Sequence, residues 1–170
     1  AESLVTALAD IGQALEREEN VFKTVLPRVI AGGGDERFIA GGGVWPEPGA
    51  ISPGVERRSF FWGRDATGAL IYYDDYNKPD GPGYHHEEWY LPARYQADGA
   101  VYWSSSYMDP YSYEPMVTCT ASLFENGRFC GVSTVDVKLS GLREFLADEA
   151  KLIKGYAFAV DRNNKILCFP

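Results

Sequence analysis

The sequence is short of basic residues, sulfur, histidine and long apolar runs, and each shortage closes off a class of function. Sixteen lysines and arginines against 24 acids leave a net charge of −8 over 170 residues, with a pI near 4.8. Nucleic-acid phosphates demand a basic footprint, so no nucleic-acid partner is expected. The summed field instead weakly favours a cationic ligand. No run of about 18 apolar residues occurs, nor a charged start followed by an apolar centre, so no membrane span or signal peptide is expected within these residues. The two histidines, His85 and His86, are neighbours whose side chains would point apart on an extended chain. Neither His-Glu-x-x-His nor Cys-x-x-Cys spacing is present, so no metal and no cofactor is expected. Gly32–Gly34 and Gly41–Gly43 lack the spacing of a phosphate loop, and Ser104-Ser105-Ser106 lacks a Gly-x-Ser-x-Gly elbow. The chain is not expected to be an enzyme. A secreted hydrolase, the alternative of another class, would have to assemble a nucleophile–base pair from distant residues.

Three cysteines, Cys119, Cys130 and Cys168, make no disulfide framework. A two-residue turn at Asn126-Gly127 would set Cys130 opposite Leu123 and Asp136 opposite Val117, on the same side as Cys119. Cys119 would then lie four residues, about 13 Å of strand, from Cys130's partner, beyond disulfide reach. All three are read as free or buried thiols.

What is present is enough for one folded domain: 45% hydrophobic residues, 24% charged, and no low-complexity tract. Apolar residues at three- and four-residue steps from Leu4 to Ile30 predict one long amphipathic helix over 3–30. Ser3 is its expected N-cap, Gly32-Gly33-Gly34 its end, and Pro27 a candidate kink. The Gly/Pro-rich stretch 32–56 is too irregular to assign. Strands follow: a hairpin of 58–63 and 70–76 around Asp65-Ala66-Thr67-Gly68, and a strand at 100–105 after a short helix near 87–96. The strongest hairpin signal joins 116–124 to 129–138 at Asn126-Gly127. Ser140 is expected to cap a helix over 141–153, and 155–170 reads as strand, Asn163-Asn164 turn, strand. The fold class is therefore α+β, with a long helix packed against one antiparallel sheet.

Aromatic residues crowd the stretch 72–113: Tyr72, Tyr73, Tyr76, Tyr84, Trp89, Tyr90, Tyr95, Tyr102, Trp103, Tyr107, Tyr111 and Tyr113. Rings of this kind either fill a core or line a small-ligand pocket. The interleaved acids Asp74, Asp75, Glu87, Glu88, Asp109 and Glu114, with Asp136 further on, add what an ammonium group requires: aromatic faces and charge-assisted hydrogen bonds. Asp136 is the sharpest candidate, since Val132–Val137 is otherwise apolar on both faces. A carboxylate there is costly unless a cation or several donors meet it. The alternatives are an internal salt bridge to an arginine and a solvent-facing strand end.

Glu88-Trp89-Tyr90-Leu91-Pro92-Ala93, Tyr102-Trp103-Ser104, Ser106-Tyr107-Met108-Asp109, Met116-Val117-Thr118 and Gly131–Val137, in that order and spacing, resemble the Cache family. The similarity is to the membrane-distal module of double Cache sensors, which have a PAS-like fold and serve bacterial chemoreceptors, histidine kinases and diguanylate cyclases. The ending, Gly155–Arg162 through Phe169-Pro170, resembles the start of the membrane-proximal module. The resemblance implies residues 1–154 as the ligand-binding module and 155–170 as the opening of a truncated second one. It implies a periplasmic location in an inner-membrane receptor whose anchors lie outside this sequence. A homodimer through the N-terminal helix is a candidate self-contact, and a ligand-free spacer that only dimerises there is a further alternative. In amino-acid-binding members an arginine two positions before Trp-Tyr holds the ligand's carboxylate. A Tyr-x-Asp pair and the aspartate of the Gly-Val-x-x-x-Asp strand hold its ammonium. Trp89, Tyr90, Tyr107, Asp109 and Asp136 match; Glu87 stands where the arginine belongs. The expected ligand is therefore a small amine or quaternary amine, with an amino acid as the alternative and Arg94, one helical turn past Tyr90, as the candidate replacement for the arginine.

Overall fold

The computed structural model describes residues 1–15, 18–51, 54–110 and 112–169, so Tyr111 and Pro170 of the features above lie outside the described residues. The N-terminal stripe forms two helices where one was expected, α1 (Glu2–Ala14) and α2 (Glu19–Gly32). The chain is extended on both sides of the break, at Leu15 (φ −78°, ψ 143°) and Glu18 (φ −93°, ψ 124°). Pro27 sits inside α2 without ending it, and Ala1, not Ser3, occupies the first cap. The apolar period hid the break because both helices bury their stripes against the same sheet, through Leu4, Val5 and Leu8 from α1 and Phe22, Leu26 and Ile30 from α2.

That sheet contains β1 (Ile39–Pro46), β2 (Phe60–Arg64), β3 (Leu70–Tyr73), β4 (Val101–Trp103), β5 (Tyr107–Met108), β6 (Pro115–Glu125) and β7 (Arg128–Lys138). Its order is β3-β2-β1-β7-β6-β4, with β5 also on β6, and every pairing is antiparallel. The strand β1 falls in the stretch that carried no strand signal, yet it is central. Glycine has low strand propensity, so Gly41-Gly42-Gly43 concealed it. Close approach explains the glycine at position 41, where a Cβ would stand 2.5 Å from the Trp62 carbonyl oxygen.

The β6–β7 hairpin forms as expected, with Asn126 (φ 52°) and Gly127 (φ 76°) in its two-residue turn. Its register differs by one residue from the regular ladder. Phe124 faces Phe129, but Leu123 faces Gly131, so Cys130 is the extra residue of a bulge. Gly131 takes φ 144°, and a Cβ on it would lie 2.5 Å from the Trp45 carbonyl oxygen. Asp136 therefore pairs with Thr118 and not with Val117. A one-residue slip exchanges the faces of a strand, so Asp136 points away from the side of Cys119. All three cysteines are free.

The third helix, α3 (Leu139–Leu152), begins with Lys138 at its cap; Ser140 lies in its first turn and donates to Glu114 Oε1 at 2.9 Å. The expected helix near 87–96 is a 3₁₀ turn over Leu91–Tyr95. Two short strands, β8 (Ala159–Val160) and β9 (Ile166–Cys168), form a separate antiparallel pair.

Candidate ligand-binding site

Alternation along β6 builds two unlike faces. Val117, Cys119, Ala121 and Leu123 join the helix-side core, while Thr118, Thr120 and Ser122 turn to the other side. There each hydroxyl has a partner. Thr120 Oγ1 donates to the Trp89 carbonyl (2.8 Å), Ser122 Oγ to the Ala93 carbonyl (2.6 Å), and Thr118 Oγ1 to Asp136 Oδ1 (2.7 Å). From β1, Trp45 Nε1 donates to Thr134 Oγ1 of β7 at 2.7 Å. The loop segment 84–93 is thus tied to the sheet, and its rings gather round Trp45, Trp89 at 4.7 Å and Tyr84 at 5.4 Å between centroids, joined by Tyr76 at 5.3 Å and Phe61 of β2 at 5.1 Å.

Beside this aromatic cluster opens a cleft of about 730 Å³, walled by Phe61, Tyr73, Asp109, Ser112, Glu114 and Asp136 among others. Asp136 is 7% exposed. Burial pushes its carboxyl up to about 6; Asp109 pushes the same way, and the hydrogen bonds of Thr118 and Tyr107 only partly offset them. The internal-arginine alternative is not what the structure has: among the described residues no lysine, arginine or histidine forms an ion pair with Asp136. The cleft's own cations are engaged elsewhere. Arg37 pairs with Asp35 at 2.6 Å, Lys138 with Glu114 at 3.7 Å, and Arg64 donates to the carbonyls of Ile39 (3.1 Å) and Gly68 (2.8 Å).

Of the residues singled out in the sequence, Tyr107, Asp109 and Asp136 come together. Tyr107 is hydrogen-bonded through its hydroxyl to Thr118 Oγ1 at 2.8 Å, and Asp109 Oδ2 accepts the N–H and O–H of Ser112. Trp89 touches the site only through the ring cluster it shares with Phe61. Tyr90 is buried in that cluster and donates to Glu47 Oε2 at 2.8 Å; neither residue lines the cleft. Arg94 is bound to Glu47 too. Burial works against its charge, but the ion pair with Glu47 overrides burial and raises its pKa. Its guanidinium, 5.3 Å from the Phe129 ring centroid, has thus taken a protein carboxylate in place of a ligand's. Glu87 is not among the cleft residues, and burial raises its pKa.

Sequence reasoning missed Thr118 and Phe61 as candidate site residues, and named Tyr73 only among the rings of the aromatic stretch. Thr118 was hidden by the bulge; the Phe61 ring lies outside the aromatic stretch that drew attention. The histidines also differ from expectation, since the chain turns there and their rings touch, 3.9 Å between centroids. No cluster able to hold a metal ion occurs among the described residues. Ser104 Oγ donates to the Ser105 carbonyl and accepts the N–H of Thr118, a structural use.

Residues 34–144 match the model of the methyl-accepting chemotaxis protein-like family, first PDC sensor domain. The chain belongs to that family. PDC domains are of the Cache type, so the sensor is a non-catalytic ligand-binding module from the extracytoplasmic side of membrane receptors. It is similar to methyl-accepting chemotaxis protein McpC of Bacillus subtilis (strain 168), 27% identical over 97 residues, which are 57% of this chain and 14% of McpC. In fold it is similar to the extracellular domain of mmHK1S-Z3, described as a histidine kinase. That match has a TM-score of 0.73 and 18% identity, over 98% of this chain and 61% of that one. It is also similar to the ligand-binding domain of the Pseudomonas fluorescens chemoreceptor CtaA in complex with L-serine. There the TM-score is 0.64 and the identity 19%, over 99% of this chain and 63% of that one. The sensor thus spans about a seventh of McpC and about three fifths of the two solved chains.

Proposed function

We propose that the cleft binds a small metabolite through an ammonium group, with Asp136 as its counter-charge, and that occupancy is passed to a cytoplasmic output. The observation that carries this reading is a desolvated carboxylate on the cleft wall, met by the hydroxyls of Thr118 and Tyr107 and, among the described residues, paired with no cation. Such a group is costly alone, and a cationic ligand supplies what it lacks. Aromatic faces at Phe61 and Tyr73 suit the same ligand. Asp109 supports it from the cleft, and Tyr107 through Thr118. Binding can switch the receptor only by its differential affinity for two packings of the sheet against the helices.

Two ligand classes carry an ammonium. The L-serine held by CtaA favours an amino acid. Glu87 in the arginine's place, and Arg94 already paired to Glu47, favour an amine without a carboxylate. Thermal-shift and calorimetric titration with choline, ethanolamine, putrescine, L-serine and L-valine separates them. Saturable binding of the amines alone supports the amine reading; micromolar binding of the amino acids replaces it with the other. If no ammonium compound binds while a plain carboxylate does, the assignment of Asp136 falls.

We also propose residues 1–154 as the ligand module and 155–170 as the opening of a second one. The β8–β9 pair forms its own small sheet and leaves Tyr156, Phe158 and Phe169 clustered and exposed, as a surface awaiting further chain would.

A further inference from the structure

We infer that Thr118 is the positioning residue of the ammonium site: its hydroxyl proton holds Asp136 Oδ1 and so orients the carboxylate that a ligand meets. This inference rests on the ammonium reading for its ligand, but its geometry stands without one. Thr118 is 1% exposed and lies directly opposite Asp136 across the β6–β7 ladder. A hydroxyl has one proton to give. An ionised carboxylate only accepts, so the proton of Thr118 goes to Asp136 at 2.7 Å. Tyr107 Oη stands 2.8 Å from Thr118 Oγ1 and also hydrogen-bonds the Asp136 carboxylate, so both hydroxyls serve it. The result is a hydrogen-bonded cluster of Tyr107, Thr118 and Asp136 running across three adjacent strands. Its backbone is fixed as well: the Thr118 N–H donates to Ser104 Oγ at 2.9 Å, and the Ser104 N–H donates back to the Thr118 carbonyl at 2.9 Å.

For an ammonium ligand, which only donates, the carboxylate of Asp136 and the oxygen of Tyr107 are both acceptors. A bound ammonium keeps Asp136 ionised. The groups facing Asp136 are few. Tyr107 and Asp109 come from β5 and the loop after it, Thr118 from β6, and Gly41 of β1 has no side chain. Asp109 is the charged group among them, and burial raises both the Asp136 carboxyl and the Tyr107 phenol.

The test needs no ligand. Side-chain carboxyl NMR follows the titration of Asp136 in the unliganded wild type and in Thr118→Val, Thr118→Ser and Tyr107→Phe. Loss of one charge-directed hydrogen bond to a buried carboxylate should move the Thr118→Val midpoint upward by about one pH unit, a tenfold change in proton affinity. Thr118→Ser should return it to the wild-type value, and Tyr107→Phe should give a smaller rise. If Thr118→Val does not fold, the Tyr107→Phe rise beside an unmoved Thr118→Ser decides in favour. A wild-type midpoint in both Thr118→Val and Tyr107→Phe overturns the proposal, as does a Thr118→Ser midpoint as high as that of Thr118→Val. Failure of every ammonium probe to bind, with these midpoints as expected, removes the ligand reading and leaves the positioning role intact.

Discussion

The two faces of the central sheet are built from the same strands and do opposite work. On the helix side, β6 and β7 present Val117, Cys119, Leu123, Val135 and Val137 to Leu8, Phe22 and Leu26, an apolar contact that needs no precise partner. On the other side the intervening residues are Thr118, Thr120, Ser122, Thr134 and Asp136, each with a named hydrogen-bond partner. One face stabilises the module; the other holds a loop in place and keeps a carboxylate dry beside a cleft. Stability and recognition are thereby separated by the two-residue period of a strand.

The largest effect that sharpens this contrast belongs to the helix face. Leu8 is fully buried, and Leu8→Ala should cost about 2–5 kcal/mol, a fall in melting temperature of roughly 5–15 °C, by the lost transfer energy and the cavity left behind. Ligand affinity measured by calorimetry should stay within about threefold of wild type, because additivity holds between distant sites. A matching collapse of affinity would mean that the two faces are not independent. Next comes the residue that sets which side chain faces which side. Gly131→Ala places a Cβ at φ 144° and against the Trp45 carbonyl, and should lower stability by about 1–3 kcal/mol in urea titration. Unchanged stability would show that the bulge, and with it the Asp136–Thr118 pairing, does not depend on glycine.

The helix-side half of this organisation was legible in the sequence, since apolar alternation along 116–124 and the 3.6-residue stripe of Leu4–Ile30 are local signals. The hairpin turn at Asn126-Gly127 was legible for the same reason. What stayed hidden depends on contacts between strands. A strand of glycines, β1, reads as a linker until both its neighbours are known, and a bulge at Cys130 leaves no mark that ordinary turn rules detect. The site followed the same division. Asp136 stood out as a charge in an apolar run, while Thr118, its actual partner, was displaced by the single extra residue. The family resemblance named Tyr107 and Asp109, and both lie near Asp136. It also pointed to Tyr90, whose hydroxyl is committed to Glu47 in this chain. Arg94, weighed as a stand-in for the missing arginine, is committed to Glu47 as well.

The most direct measurement compares wild type with Asp136→Asn in unliganded melting experiments from pH 4 to pH 8, then repeats them with a ligand found in the amine and amino-acid screen. The folded carboxyl titrates near 6 against about 3.8 unfolded, so the folded state binds this proton more tightly. Its contribution to stability is fully present below about pH 3.8 and is lost as pH rises through 6, to a total of about 3 kcal/mol. Asp136→Asn should therefore be more stable than wild type at pH 7.5 by about 1–3 kcal/mol, with the gap closing toward pH 4. The same variant should bind the ligand roughly tenfold to a hundredfold more weakly and show a smaller ligand-induced shift, since the charge-assisted bond is lost. A variant that is less stable than wild type at pH 7.5 without ligand would make Asp136 a structural residue and contradict the ammonium site.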